Sequence, residues 1–233
     1  MTAGYLTFKG RDETAEGLDR KLSVHYYGRM RFIANLLPKL EAAANGPAPG
    51  NLSRVVSVLD PRVLSGEVKF SDLQLKHNFS LQNAAAHAGA MTDFYLESMA
   101  KKHPGTSFIH ASPGAVKTGA ARELPGIVQL AASVAFVLAK PFKMFVGLKE
   151  SGERHLYAAT APAYAPSKEA GDDKAVGSDG KKGSGSYWLH WSGDPFPPSN
   201  YLDKIRKEGA EEKIVNHTEE VFKKICEEGG VYA

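Results

Sequence analysis

A chain of 233 residues, 42% hydrophobic and 24% charged, carries enough apolar side chains to bury one sizeable core over residues 1–233. A formal net charge of +3, with acids and bases interspersed, gives no electrostatic footprint for a nucleic-acid partner. The single cysteine, Cys226, excludes an intramolecular disulfide and any multi-cysteine metal site, and the eight histidines show no His-x-x-x-His or Cys-His spacing that would hold a metal. No positively charged start followed by an apolar run and a small-residue cleavage site is visible, so the expected location is cytoplasmic.

In chain order, Gly4 to Phe8 reads as a short first strand. A helix follows from about Thr14, its expected cap, to Ala43, because Leu18, Leu22, His25, Tyr26, Arg29, Ile33, Leu36, Leu37 and Leu40 recur at helical steps. The Pro- and Gly-rich stretch 45–50 breaks it, and Arg54 to Leu59 is a β-branched run of the kind buried in a parallel sheet. Leu81 to Lys102 is a helix with an unusually small face of Ala84, Ala85, Ala86, Ala88, Gly89 and Ala90, which permits close approach to a neighbour. Ser107 to Ala111 is a strand that runs into Ser112-Pro113-Gly114.

Leu124 to Leu148 is mostly apolar, but Pro125, Lys140, Pro141 and Lys143 leave an unbroken stretch short of the roughly 20 residues that cross a bilayer. It reads as a buried helix, or as an apolar lid capable of interfacial contact, and not as a membrane span. Glu150 to Thr160 is helical. Residues 166–186 hold five Gly, four Ser and eight charged side chains with Val176 the one sizeable apolar group, and are expected to form a disordered loop. Tyr187 to Trp191 is a further strand. A last helix presents Ile214, Thr218, Val221, Phe222 and Ile225 on one face. Strands alternating with helices across long crossovers specify an α/β fold with a parallel sheet flanked by helices.

Ser112-Pro113-Gly114-Ala115-Val116-Lys117-Thr118-Gly119 lies directly after a strand, where open parallel sheets bind ligands. This stretch resembles the Pro-Gly-x-Val-x-Thr segment of the short-chain dehydrogenase/reductase superfamily. Ala3-Gly4, Val24 to Gly28, Leu36-Leu37-Pro38, the 54–59 strand and the helix from Asn83 match the same family in order. The likeness is good over roughly residues 3 to 119 and looser beyond, where it points to fungal biosynthetic members. It implies a Rossmann-like sheet, an NADP or NAD cofactor bordered by Gly4, Pro113, Gly114, Val116 and Thr118, and an oxidoreductase of fungal secondary metabolism acting on a small hydrophobic substrate.

The departures carry equal weight. Nothing upstream of Tyr5 supplies the Gly-rich turn that seats a pyrophosphate on a helix N-terminus. The resemblance therefore implies a partial Rossmann-like sheet with strands equivalent to the fourth onward. Weak or absent cofactor binding is expected, as is an exposed sheet edge that a second copy could pair. The family's catalytic Tyr and Lys fall on Asn83 and His87, its Ser near Leu59 or Asp60, and its helix Asn on His25. None of the four residue types matches. An amide exchanges no proton near neutral pH, whereas His87 and His25 are of a type suited to proton transfer. A packing role for each histidine stands beside the catalytic one. A non-redox cyclase, isomerase, dehydratase or pseudoenzyme on the same scaffold is the alternative function.

Overall fold

The computed structural model describes residues 1–2, 4, 7–46, 52–61, 66–116, 125–128, 130, 145–197 and 199–232. Among the described residues three parallel strands form a sheet in the order β1 (Arg54–Val58), β2 (Ser107–Ala111), β3 (Ser186–Leu189). Register places Val55 beside Phe108, and Ser57 beside His110, which in turn lies beside Trp188. Side chains alternate across the sheet. Val55, Phe108 and Trp188 belong to one apolar cluster; Val56, Ile109, Ala111, Tyr187 and Leu189 belong to another on the opposite face.

α3 (Leu81–Lys102) covers the first face. Ser80 caps it by accepting from the Asn83 N–H at 3.0 Å. The small side chains Ala84, Ala88 and Ala90 let this helix approach closely, and its centre is buried on all sides. α4 (Leu148–Thr160) lies over the other face, where the guanidinium of Arg54 ties three carbonyls, those of Ala158, Ala161 and Tyr164, at 2.6–3.0 Å.

The long N-terminal helix begins at Asp19 and not at Thr14. Thr14 is taken up in a turn, its N–H donating to Leu18 O, while the buried Asp19 carboxylate accepts from the N–H groups of Asp12, Lys21 and Leu22. α1 (Arg20–Leu22) passes through a π-helical turn, Ser23–Tyr27, into α2 (Gly28–Ala44). The wider turn leaves Tyr26 and Tyr27 buried together. Tyr26 bonds Thr218 Oγ1 at 2.6 Å on α6 (Ala210–Phe222). α6 follows α5 (Asn200–Lys207), so the last helix of the sequence reading is two, and its Ile214, Thr218, Val221 and Phe222 are buried as the spacing predicts.

The chain already runs beside β1 at Met1. Its N atom donates to Val56 O at 2.6 Å and its carbonyl accepts from Val58 N at 2.8 Å, a parallel pairing opposite Ser57 that covers part of the edge expected to be exposed. Of the strand expected over 4–8, Tyr5 and Leu6 lie outside the described residues, as does most of the 124–148 segment.

The 166–186 stretch follows a defined path. Val176 bridges Lys182, Ser178 N–H donates to Ser186 O, and Ser178 Oγ donates to Glu97. Gly183 and Gly185 sit at φ +67° and +82°, and a Cβ on either would come within 3 Å of neighbouring backbone. Backbone hydrogen bonding and glycine contacts, which hydrophobicity does not register, shape this segment.

Asp93 of α3 meets His110 of β2 at 2.6 Å with both side chains fully buried. Removing one partner of such a pair strands the other, at a cost of about 3 kcal/mol, whereas replacing both with apolar groups is close to neutral. Urea denaturation should find Asp93→Ala destabilised by about that amount, with Asp93→Leu/His110→Leu recovering most of it. A single variant within about 0.5 kcal/mol of the parent would show that the pair does not hold helix to sheet.

Candidate functional site

The carboxyl ends of β1 and β2 are where an open parallel sheet receives a ligand. On the α3 face at that end lies a buried polar layer. Arg29, the second residue of α2 and directly after the π-turn, donates to Ser57 Oγ at 3.0 Å and to Val58 O at 2.9 Å. Burial brings the Arg29 pKa down to about 10. Beside Ser57 in register stands His110, whose pKa burial lowers to about 3, with Arg29 adding to the shift. Burial raises the Asp93 carboxyl well above its usual range, and Glu97 and Asp60 push the same way. The pair therefore keeps a proton and carries no net charge at neutral pH. Among the described residues Asp93 Oδ2 and His110 Nε2 find no hydrogen-bond partner.

The residues singled out by the sequence fall in three places. His25 lies in the π-turn, and a Cβ built on Gly4 would stand 3.1 Å from its Nε2, so these two are neighbours. Burial and the Arg29 charge lower the His25 pKa to about 4. His25 is thus neutral at pH 7, able to bond a ligand oxygen but weak as a proton donor. Asn83 and His87 lie on the first two turns of α3 and are tied to the loop before it. Asn83 Nδ2 donates to Asn78 O at 2.8 Å. His87 accepts from Lys69 N–H at Nε2 and donates from Nδ1 to Leu73 O. With both ring nitrogens on backbone groups and no exposed surface, His87 exchanges a proton with a ligand only if the Lys69 bond breaks.

The third place is the turn after β2. Ser112 N–H continues the sheet by donating to Leu189 O, and Gly114 follows at φ +69°. A Cβ there would meet Trp191 at 2.9 Å and Val146 at 3.0 Å, so protein packing as well as backbone geometry requires this glycine. Pro113 is half-buried, and Val116 pairs with Val146. Thr118 lies outside the described residues. These residues provide a turn at the strand ends. Among the described residues no Gly-rich turn joins a named strand directly to a helix N-terminus to receive a pyrophosphate, and the space at Gly114 is taken by Trp191. No group of three or more metal-ligating side chains occurs among the described residues, and no described helix is long and apolar enough to cross a membrane.

Arg29, Asp93 and His110 were missed by motif reading. Their signal was a lone guanidinium, carboxylate or imidazole within an otherwise apolar helix face or strand, as in Ser107 to Ala111.

No family model matches the chain. It is 39% identical to an oxidoreductase of Emericella nidulans over 95% of this chain and 67% of that protein. The chain belongs to the short-chain dehydrogenase/reductase-like oxidoreductases. A short-chain dehydrogenase/reductase of Stachybotrys chartarum is 28% identical over 88% of this chain and 58% of its own length. The chain spans 58% to 69% of the length of five fungal relatives that it matches. In fold it is similar to the crystal structure of an uncharacterised protein from Mycobacterium paratuberculosis, with a TM-score of 0.54 and 14% identity, over 94% of this chain and 64% of that one. That likeness supports the parallel α/β architecture alone.

Buried histidines set the response of this oxidoreductase-like fold to acid. His25 and His217 both drop from an ordinary 6.5 to about 4, the first by burial and Arg29, the second by burial and His87. Between those values the unfolded chain binds protons that the folded chain does not. Stability is therefore full above pH 6.5 and falls as pH drops toward 4, by about 1.4 kcal/mol per pH unit for each histidine. His110 adds to the loss while Asp93, whose pKa is raised, opposes it. Thermal melts should fall from pH 7 to pH 5, and His217→Gln should flatten the slope. A melting temperature that does not change over that range would refute the assignment.

Proposed function

We propose that this chain is an oxidoreductase of fungal secondary metabolism that acts on a small hydrophobic substrate with NADP or NAD, and that the residues described here hold the cofactor weakly. The observation that carries this reading is the Pro113-Gly114 turn at the carboxyl end of β2, in a chain whose relatives are named oxidoreductases. In this reading the end of the neighbouring strand β1 supplies the substrate side of such a site. His25 lies beside Gly4, and the Arg29 cation is held at the end of β1 by Ser57 and Val58. Neutral His25 offers a hydrogen bond to a substrate oxygen, and Asn83 at the head of α3 offers a second if it releases Asn78. The cytoplasm is the compartment that suits a chain with one free, exposed cysteine.

One observation favours a second reading, a non-redox catalyst or pseudoenzyme on this scaffold. Both nitrogens of His87 are committed to Lys69 and Leu73, leaving no free acid/base group at that position. A fluorescence titration with NADPH separates the two. The proposal predicts at best a weak, millimolar-range enhancement. Micromolar binding would overturn the weak-cofactor reading, and turnover of a substrate that persists after complete removal of nicotinamide would favour the non-redox one. If His25 contacts the substrate, His25→Ala should lower turnover about tenfold or more while leaving the thermal midpoint at pH 7 close to the parent.

A further inference from the structure

Among the described residues β1 is an end strand of the sheet, and its outer edge is only partly used. Ser53 O accepts from Ser107 N–H, and Leu59 N–H donates to Ala111 O. The odd-numbered residues of this stretch therefore turn their backbone groups toward β2, and the even-numbered ones turn theirs outward. Met1 takes Val56 O and Val58 N–H, and the Arg29 guanidinium takes Val58 O. Nearer the start of the strand, the outward N–H and C=O of Arg54 and of Leu52 have no partner among the described residues. Leu52 is 49% exposed and Arg54 half-buried, so this part of the edge is open to solvent.

Apolar side chains flank the open edge. A groove of about 200 Å³ runs beside it, lined by Met1, Phe32, Leu36 and Leu40 and by Val55 and Val56 of β1. Phe32 and Leu36, one turn apart on α2, are 61% and 45% exposed. Natural edge strands are usually guarded by a charge, a proline or a covering loop. Here the one charged side chain of β1 is withdrawn, because the Arg54 guanidinium reaches back to the carbonyls of Ala158, Ala161 and Tyr164. A second copy of the chain fits such an edge. The outward groups of Arg54 and Leu52 are two donors and two acceptors, which complement themselves across a two-fold axis, and the apolar stripe of α2 meets its own image there. A net charge of +3 over 233 residues sets little repulsion between copies.

We propose that the chain self-associates through this edge as a two-fold dimer. β1 of one copy lies antiparallel beside β1 of the other, and the Arg54 N–H and C=O of each bond the Leu52 C=O and N–H across the axis. An axis perpendicular to the sheet keeps both copies of α2 on one face, where Phe32 and Leu36 pack against their counterparts. Met1 ends the pairing before Val58. The contact falls short of the roughly 20–30 residues a side of a standard interface, so the dimer is weak, with a dissociation constant on the order of 10–100 μM. The inference does not depend on the oxidoreductase reading.

The test is sedimentation velocity of the full chain from about 5 to about 300 μM, with hydrogen exchange of the Arg54 amide followed by NMR at both ends of that range. The sedimentation coefficient should rise with concentration from monomer toward dimer, and the Arg54 amide should exchange several-fold more slowly in the concentrated sample. The double variant Phe32→Lys/Leu36→Lys changes an exposed face, so it should keep the parent's thermal midpoint in dilute solution while the dissociation constant rises about tenfold or more. Leu52→Pro, which removes one outward N–H, should weaken the dimer as well. A chain that stays monomeric at about 300 μM overturns the proposal, as does a dimer that neither variant weakens. Protection of the Arg54 amide that is the same at both concentrations overturns it in favour of another segment of the same chain lying on the edge.

Discussion

Asp93 and His110 face one another at 2.6 Å where no water reaches, and the geometry around them follows from keeping that contact uncharged. A carboxylate and an imidazole buried separately would each carry a large desolvation cost. Sharing a proton, they form one neutral unit that α3 and β2 can both close over. That unit lies between Phe94, packed edge-to-face on Trp188 of β3, and the Arg29–Ser57 contact that anchors the helix from the π-turn onto β1. Three elements distant in sequence thus register against a single polar layer within an otherwise apolar interface.

The same layer positions the candidate site. Arg29 spans the end of β1 by bonding both Ser57 and Val58, so its helix enters at a fixed height and places His25 beside Gly4. The π-turn makes this possible while Tyr26 and Tyr27 remain buried toward α6, where they bond Thr218 and His217. Strand-end chemistry and the packing of the C-terminal helices are therefore linked through five consecutive residues, Ser23–Tyr27. The chain is one of the short-chain dehydrogenase/reductase-like oxidoreductases, and in it the space at Gly114 is filled by Trp191 while both ring nitrogens of His87 are bonded to backbone groups.

Much of the fold was legible where periodicity and burial agree. The limits of α3 and β2 match the sequence reading residue for residue, because the Ala-rich helix is bounded by a Ser cap and His103-Pro104-Gly105, and the strand by polar turns. The N-terminal helix start was not, since Asp19 and Thr14 are both competent caps and only the tertiary bond to Asp12 decides between them. The path of 166–186 was hidden because it is specified by backbone bonds and by glycines at positive φ. In the candidate site, motif order singled out Gly4, His25 and the Pro113-Gly114 turn as candidates. The buried polar layer behind them was not visible, because pairing Asp93 with His110 requires knowing that one helix face meets one strand position.

The central claim is that the Asp93–His110 pair within this layer carries no net charge at physiological pH, with His110 itself neutral. Ring ¹⁵N shifts of the histidines, followed from pH 5 to pH 8, test it most directly. A His110 resonance that stays at its neutral-imidazole position throughout, and moves in an Asp93→Asn variant, is what the structure requires. A His110 that titrates near its ordinary 6.5 would place a charge on the imidazole of that pair and contradict the account.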